Sequence, residues 1–436
     1  MSPCATSARL QAARPVLANT SALVILRGSN LAVRLGLLFL IARAVQPQDF
    51  GRLVLALSVA EVGKVLADFG MDTLAIREYA LAADRGAVSR FAGSFAAGRV
   101  VCAALVQSGL IAWFLLTQAP EQAAVGVILS FSVWTSLLQG FSLDWFQGRL
   151  RVPRVVWPVL TANVLGGVAA AFVASSAPGL GNKALALPAL ELLVGGVLLF
   201  ALRREESWAL GAPSVERMRA LLRASLPIAI TAILIMLYSR LDVFVMAGRL
   251  PAVDLGRYGI AMRLTEPFQI AAAVFGLSVY SRFAAWFSAP EARAAAPAAG
   301  TLGPSAVRYA AGTLAYGVTV GALLAVVGPV VLAKFLPAYL AAVPPLRLLA
   351  GALVFRSLNA TLAGIIQAAG RFRALALLAA WNLALVFVLL LVLVPRAGAE
   401  GAALALLLGE GLNTVFQLVW VARIVSRRER SAADGG

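Results

Sequence analysis

Stretches of about 20 mostly apolar residues recur along the whole of this sequence, and that is the length an α-helix needs to cross the hydrocarbon core of a bilayer. With Pro, Gly and charged residues as breaks, twelve such stretches can be counted. They are centred near Leu31, Val59, Leu105, Trp134, Val164, Leu193, Ile235, Ala271, Leu323, Phe355, Leu385 and Leu412. The composition agrees. Of 436 residues, 61% are hydrophobic and 13% charged, against about 25% charged in a soluble domain. So little charge cannot cover the surface of a water-soluble protein of this size. The expected fold class is all-α and integral to the membrane, with twelve transmembrane helices.

The basic residues set the expected orientation. Loops on the side shared by both termini hold roughly threefold more Lys and Arg than loops on the other side, so the positive-inside rule puts both termini in the cytoplasm. The same bias accounts for the net charge of +17 without a nucleic-acid partner. The chain has no histidine, which removes His-based acid/base catalysis and His proton relays and nearly every zinc site. Cys4 and Cys102 are its two cysteines, too few for a disulfide framework. Residues 1–16 hold no short apolar region with a cleavage site, so the first apolar stretch is expected to be retained.

The first half is echoed in the second. QPQDFGRL at 46–53 and PAVDLGRY at 251–258 share Asp, an apolar residue, Gly and Arg in the same order, 205 positions apart, and the same offset brings Glu61 onto Glu266. GRLR at 148–151 and GRFR at 370–373 are 222 apart, and Glu191 and Glu410 are 219 apart. Each pair falls in the corresponding apolar stretch of its half, so the chain is expected to contain two six-helix repeats. Six is even, so both repeats begin on the same side of the membrane. They are parallel repeats, and two such bundles are expected to enclose a central cavity and to rock about it. The longest polar connection, beginning at Arg203, separates a bundle over 1–210 from one over 211–436. The second opens with VERMRALLRAS, whose Val215, Met218, Leu221 and Leu222 have helical spacing with arginines between them. That pattern suits a helix lying on the inner membrane face, and residues 72–91 offer a place for another. The DFG of the first echo is no kinase motif, because a chain without histidine has no catalytic-loop His-Arg-Asp. Asp49 and Asp254 are expected to cap the helices that follow, with Gly51 and Gly256 in tight turns.

Three stretches carry a resemblance. ARAVQPQDFGRLVLALSVAEVGKVLADFGMDTLAIREYA, LPIAITAILIMLYSRLDVFVMAGRLPAVDLGRYGIAMRL and DWFQGRLR resemble the polysaccharide-biosynthesis flippases, the Wzx type, of the multidrug/oligosaccharidyl-lipid/polysaccharide exporter superfamily. The features are a Pro-x-x-aromatic-Gly turn, a later D-x-G-x-x-x-x-x-x-R-E, an Asp late in the seventh helix, and W-F-Q-G after the fourth. Arg149 and Arg151 depart from the family, which often has an acidic residue after that motif. The resemblance implies export of a polyprenyl-diphosphate-linked oligosaccharide across the bacterial inner membrane, driven by an ion gradient. It also implies contact with membrane lipids and with the glycosyltransferases and polysaccharide polymerase of the same pathway.

Eight basic residues fall within the apolar stretches: Arg27, Arg34, Lys64, Arg99, Arg240, Arg263, Arg347 and Arg356. The acids of comparable depth are Glu61, Glu191, Asp242, Glu266 and Glu410. A charge at the bilayer centre costs about 2.5–3.5 kcal/mol even on a lenient insertion scale, so these groups should face a wet interior or a partner. Arg27 and Arg34, seven apart, share a helix face. Arg99 and Arg347 lie near stretch ends, where a side chain can snorkel. The spacings of Glu61 with Lys64, Lys64 with Asp68, and Arg263 with Glu266 allow pairing along one helix, and Glu191 and Glu410 are read as structural.

The surplus of cations suits an anionic cargo, because guanidinium grips phosphate through two parallel hydrogen bonds and stays charged. The candidate residues for the diphosphate and its sugars are Arg27, Arg34, Arg240 and Arg356. No G-x-x-x-x-G-K-[ST] loop is present, so ATP use through a P-loop is excluded. A proton or sodium gradient remains, with Asp242, Glu266 and Glu61 as ion-coupling candidates; no metal or other cofactor is expected. Two competing readings are a multidrug or cation antiporter of the same superfamily, which would want an acidic cavity, and a flippase for lipid II or another anionic lipid. An enzyme such as a polymerase would want a large catalytic outer loop, and the outer loops are short.

Overall fold

The computed structural model describes residues 3–287 and 302–433. Among the described residues the regular structure is helical only. The α-helices are α1 (Pro3–Ala44), α2 (Pro47–Asp68), α3 (Met71–Leu81), α4 (Arg85–Thr117), α5 (Pro120–Ser130), α6 (Ser132–Gly148), α7 (Val156–Ser176), α8 (Leu180–Arg203), α9 (Val215–Ala247), α10 (Ala252–Phe287), α11 (Leu302–Phe335), α12 (Val343–Ala368) and α13 (Phe372–Ala433). Nine helical stretches among these residues are long and apolar enough to cross a membrane, α5 and α6 together forming one of them. Helix α13 is broken at Gly398 (φ 55, ψ −132), which makes room for two crossings. Helices α2 and α10 are long enough at 22 and 36 residues but carry charges near their middles. Among the described residues these helices are consistent with twelve crossings, and the protein is a multi-pass membrane protein.

The chain forms two compact units, Met1–Arg240 and Leu241–Gly436. The boundary falls inside α9, beyond the break at 210 that the polar linker suggests, because the linker and most of α9 pack on the first unit. A Cβ on Gly93 would lie 2.1 Å from the carbonyl oxygen of Gly211. The Gly211 amide donates to the Ser89 carbonyl at 3.1 Å, and the Ser214 amide donates to Ser94 Oγ at 3.1 Å. The linker's Glu205 is clamped by Arg151 at 2.5 Å and Arg154 at 2.9 Å, while Arg149 donates to the Ala82 carbonyl at 2.8 Å. Arg151 and Arg154, which follow W-F-Q-G, therefore hold this connection in place, and Arg149 holds the end of α3. VERMRALLRAS is not a separate surface helix, as its amphipathic pattern suggests, but the start of the continuous 33-residue α9. Met218 there packs over Gly98. The short helix α3 is separate, and buries Met71, Ala75 and Tyr79 along one stripe.

The second unit packs by small residues. A Cβ on Gly364 of α12 would lie 2.8 Å from the carbonyl of Gly276 in α10, and one on Gly321 of α11 would lie 2.8 Å from that of Ala350 in α12. Such contacts let helix backbones approach where lipid offers no hydrophobic drive for association. Val279, Phe283, Leu358, Leu362, Ile365 and Leu378 fill the core between α10, α12 and α13.

The two copies can be compared helix by helix. In the first turn of α2, Arg52 pairs with Asp49 at 3.2 Å, and in α10 Arg257 pairs with Asp254 at 3.3 Å. Gly51 and Gly256 are helical rather than in turns, and the residue before α2 is Gln46, which makes no side-chain cap. The two acids act instead on the positive end of the helix dipole. Helix α6 ends with Leu150 at φ 53 and α12 with Gly370 at φ 71. In each, an amide reaches back five residues, Arg151 to Phe146 at 2.7 Å and Arg371 to Ile366 at 3.2 Å. This is one left-handed helix stop used twice. It sets Leu150 opposite Gly370, two positions away from the Gly148 pairing that the matched letters suggest.

The corner between α2 and α3 uses two left-handed residues, Phe69 (φ 51) and Gly70 (φ 71). A Cβ on Gly70 would meet the Ala229 amide nitrogen of α9 at 2.8 Å. Gly70→Ala therefore combines a left-handed penalty of about 1–2 kcal/mol with a clash against backbone. Its folded yield in membranes and its Tm should fall clearly below wild type, as read by fluorescence-detected size exclusion after a heat step.

Candidate functional site

Helix α1 is anchored by one face. Leu37, Leu38 and Ile41 are buried, and Val33 fills the space at Gly167 of α7, where a Cβ would lie 2.6 Å from it. The other face is open: nothing lies within 4 Å of a Cβ built on Gly28 or Gly36. Arg27 is exposed on this helix and makes no ion pair among the described residues. Arg34 lies two turns further along. Its Nη2 donates to Glu61 Oε1 of α2 at 2.8 Å, and its Nη1 is 3.9 Å from Glu191 of α8.

Glu61 is buried, and its second oxygen lies 2.6 Å from Nη2 of Arg240 in α9. One carboxylate thus holds guanidinium groups from two helices some two hundred residues apart in sequence. Lys64, one turn along α2, donates to Glu191 Oε1 at 2.7 Å, and Thr135 of α6 donates to Oε2 at 2.7 Å. Three cations, Arg34, Lys64 and Arg240, thus meet the two carboxylates of Glu61 and Glu191. Lys64 pairs with neither Glu61 nor Asp68, as helix spacing suggests, because Glu191 approaches it from another helix.

The second unit repeats part of this. Asn359 of α12 donates to the Glu410 backbone carbonyl at 3.1 Å, as Gln139 of α6 does to that of Glu191 at 2.7 Å. Asn359 also donates to Glu410 Oε2 at 2.8 Å, and Arg356 donates through Nε to Glu410 Oε1 at 3.0 Å and through Nη1 to Gln269 at 2.5 Å. Glu266, the counterpart of Glu61, pairs with Arg263 of its own helix at 2.7 Å. Asp242 is buried and accepts a hydrogen bond from the Tyr258 hydroxyl. The structure therefore brings Arg34, Arg240 and Glu61 together. Arg27 stands on the same helix as Arg34, and Arg356, Asp242 and Glu266 lie in the second unit.

A further cluster was not legible in the sequence. Arg99 of α4 is only 2% exposed and does not snorkel. Three aspartates surround it: Asp68 at the end of α2 at 3.4 Å, Asp72 of α3 in direct contact, and Asp144 of α6 at 3.6 Å. Asp68 lies in D-x-G and Asp144 heads W-F-Q-G, so two of the motifs that carry the family resemblance meet on one arginine. Burial acts most strongly, to raise the Asp72 carboxyl, but the Arg99 charge together with hydrogen bonds to Asp68, Asp144 and Arg99 holds it below the ordinary carboxylate value. Counting Asp68 and Asp144 among the acids removes most of the general basic surplus.

A family model for the polysaccharide biosynthesis proteins matches residues 16–284. The chain belongs to this family. No curated protein matches it. Among solved structures, this polysaccharide biosynthesis protein is similar to the inward-facing conformation of a multidrug resistance MATE family transporter of the MOP superfamily. The identity is 13% and the TM-score 0.70, covering 94% of this chain and 99% of the other. It is also similar to the lipid II flippase MurJ in an inward closed conformation, at 13% identity and a TM-score of 0.72, covering 91% of this chain and 87% of the other. The fold is thus the one these transporters share.

Breaking one side of a buried pair costs on the order of 3 kcal/mol, because the other charge is stranded. Lys64→Met should therefore lower Tm well below wild type, and Lys64→Met combined with Glu191→Gln should recover most of the loss, measured by thermal unfolding in detergent.

Proposed function

We propose that this protein is a flippase that moves an anionic, polyprenyl-diphosphate-linked oligosaccharide across the bacterial cytoplasmic membrane by ion-coupled alternating access, with both termini cytoplasmic. The observation that carries the reading is the convergence of Arg34 and Arg240 on Glu61, at 2.8 and 2.6 Å. Without cargo, each oxygen of Glu61 holds one guanidinium. A diphosphate brings more negative charge, and its oxygens match the fork of each guanidinium, so it competes with Glu61 for both. Lys64, held by Glu191, adds to the positive field. Arg27 extends the basic face of α1, and an exposed charge there is tolerable only against a wet path or an anionic partner. Arg356, part-exposed beside Gln269 and paired with Glu410, is a candidate cation of the second unit.

Displacement also supplies a link to the ion gradient. A Glu61 that has lost its arginines is a desolvated carboxylate, and such a group readily takes a proton. Asp242 and Glu266 remain ion-coupling candidates in the second unit. Membership of a polysaccharide biosynthesis family supports a glycan cargo, supplied by membrane glycosyltransferases and consumed by a polymerase. The fold shared with a protein described as a lipid II flippase supports a lipid-linked one, and a lipid II-type molecule is the second reading. The fold shared with a multidrug transporter favours a cation antiporter less, because the acid best placed to hold a cationic drug, Glu61, already faces two arginines.

Deleting the gene should make the lipid-linked oligosaccharide accumulate on the cytoplasmic face; a normal glycan with no accumulation refutes the reading. Loss of a charged hydrogen-bond partner is worth about 1.5–3 kcal/mol. Arg34→Ala at normal protein level should therefore cut transport about tenfold or more, with Arg34→Lys retaining part of it. Full transport by both variants would remove Arg34 from the site.

A further inference from the structure

The aspartates around Arg99 are one positive charge short of two carboxylates and two short of all three. Hydrogen bonds divide the guanidinium unequally. Asp72 Oδ1 accepts directly from Arg99 Nη1. Asp68 Oδ1 lies 3.4 Å from Arg99 Nη2 and also accepts the Asp72 amide at 3.2 Å. Asp144 is 3% exposed, and its Oδ2, buried and 3.6 Å from Arg99 Nη1, accepts no hydrogen bond. The Tyr79 hydroxyl, buried on α3, likewise has no hydrogen-bond partner. A carboxylate out of water with no donor on one oxygen is strongly disfavoured, and a proton removes the penalty. A proton neutralises Asp144 without setting a further cation beside the Arg99 guanidinium. The crowding is tight: a Cβ on Gly140, one turn before Asp144, would lie 2.8 Å from Arg99 Nη1 and 3.1 Å from Asp72 Oδ1.

We propose that Asp144, packed with Asp68, Asp72 and Arg99, is a proton-binding site separate from Glu61, and that its proton is the coupling ion; the second clause rests on the flippase reading. The step is Asp144 carboxylate plus a proton giving the neutral acid, with Arg99 kept by Asp72 and Asp68. Every element around the cluster contributes to its titration: Asp68 from α2, Asp72 and Tyr79 from α3, Arg99 and Cys102 from α4, and Asp144 itself from α6. Two helices tie the cluster to the substrate network. Helix α2 carries Glu61 and Lys64 as well as Asp68, about 10 Å along the axis. Helix α6 carries Thr135 and Gln139 as well as Asp144. A change in charge at Asp144 thus acts on the same two helices that hold Glu61 and Glu191.

The test uses full-length protein in lipid nanodiscs and infrared difference spectra between acidic and alkaline buffer. Wild type should show the carbonyl band of a protonated carboxyl that disappears as pH rises. Asp144→Asn, which mimics the neutral acid, should lose that band and keep the wild-type Tm, whereas Glu61→Gln should keep the band. A band that survives in Asp144→Asn overturns the proposal. So does an Asp144→Asn protein that unfolds or melts as early as Asp72→Asn, because the ionised group would then be what holds Arg99. These readouts need no cargo, so failure of the flippase reading leaves them intact. Coupling is tested in proteoliposomes with a polyprenyl-diphosphate-linked monosaccharide: a pH gradient should speed its flipping by wild type and not by Asp144→Asn. Equal acceleration of both rejects the coupling clause alone.

Discussion

A charge placed in a bilayer must find its counter-charge in the same chain or in water, and the arrangement of this protein follows from how that demand is met. Arg34, Lys64, Arg99, Arg240, Arg263 and Arg356 each lie within reach of a carboxylate. Most of these pairs join different helices. The polar contacts that let charges into the membrane are thus also the contacts that hold α1, α2, α6, α8 and α9 in register. Hydrophobic burial cannot do this among lipid tails, which are as apolar as the helices.

The two units share a scaffold and differ in where the charge is spent. Both stop a helix with the same left-handed turn, both open one with an Asp–Arg pair, and both hold a glutamate by its backbone carbonyl through an amide side chain. At the next level they part. Glu266 pairs with Arg263 on its own helix, a contact that an isolated helix could make. Glu61 instead draws cations from α1 and α9, so its pairing depends on where those helices lie. A contact of that kind can be exchanged for a ligand when helices move; a contact within one helix gains nothing from such motion.

The apolar stretches made the membrane fold legible, since about 20 apolar residues leave a helix few alternatives. The repeat was legible too, although exact letters misplaced one pairing. GRLR and GRFR match at Gly148 and Gly370, while the backbone matches Leu150 with Gly370, because a helix stop is set by dihedral angles that Leu can be forced to adopt. Pairing within one helix was readable for Arg263 and Glu266 from their spacing. It misled for Lys64, whose partner Glu191 is 127 residues away and has no local signature. The Arg99 cluster was invisible for the same reason: its three acids lie on three different helices. Two of them sat in motifs recognised as patterns, with nothing in the letters to say that they converge.

The sequence by itself determined that this chain spans the membrane many times, that it is built from two related halves, and that it carries more charge into the bilayer than lipid tolerates. Those properties follow from composition, length and period, which are local. Only the tertiary structure decided which charges meet. Helix packing brought Arg34 and Arg240 to Glu61 and three aspartates to Arg99, because the distance between two side chains on different helices is fixed by packing and not by their separation in sequence.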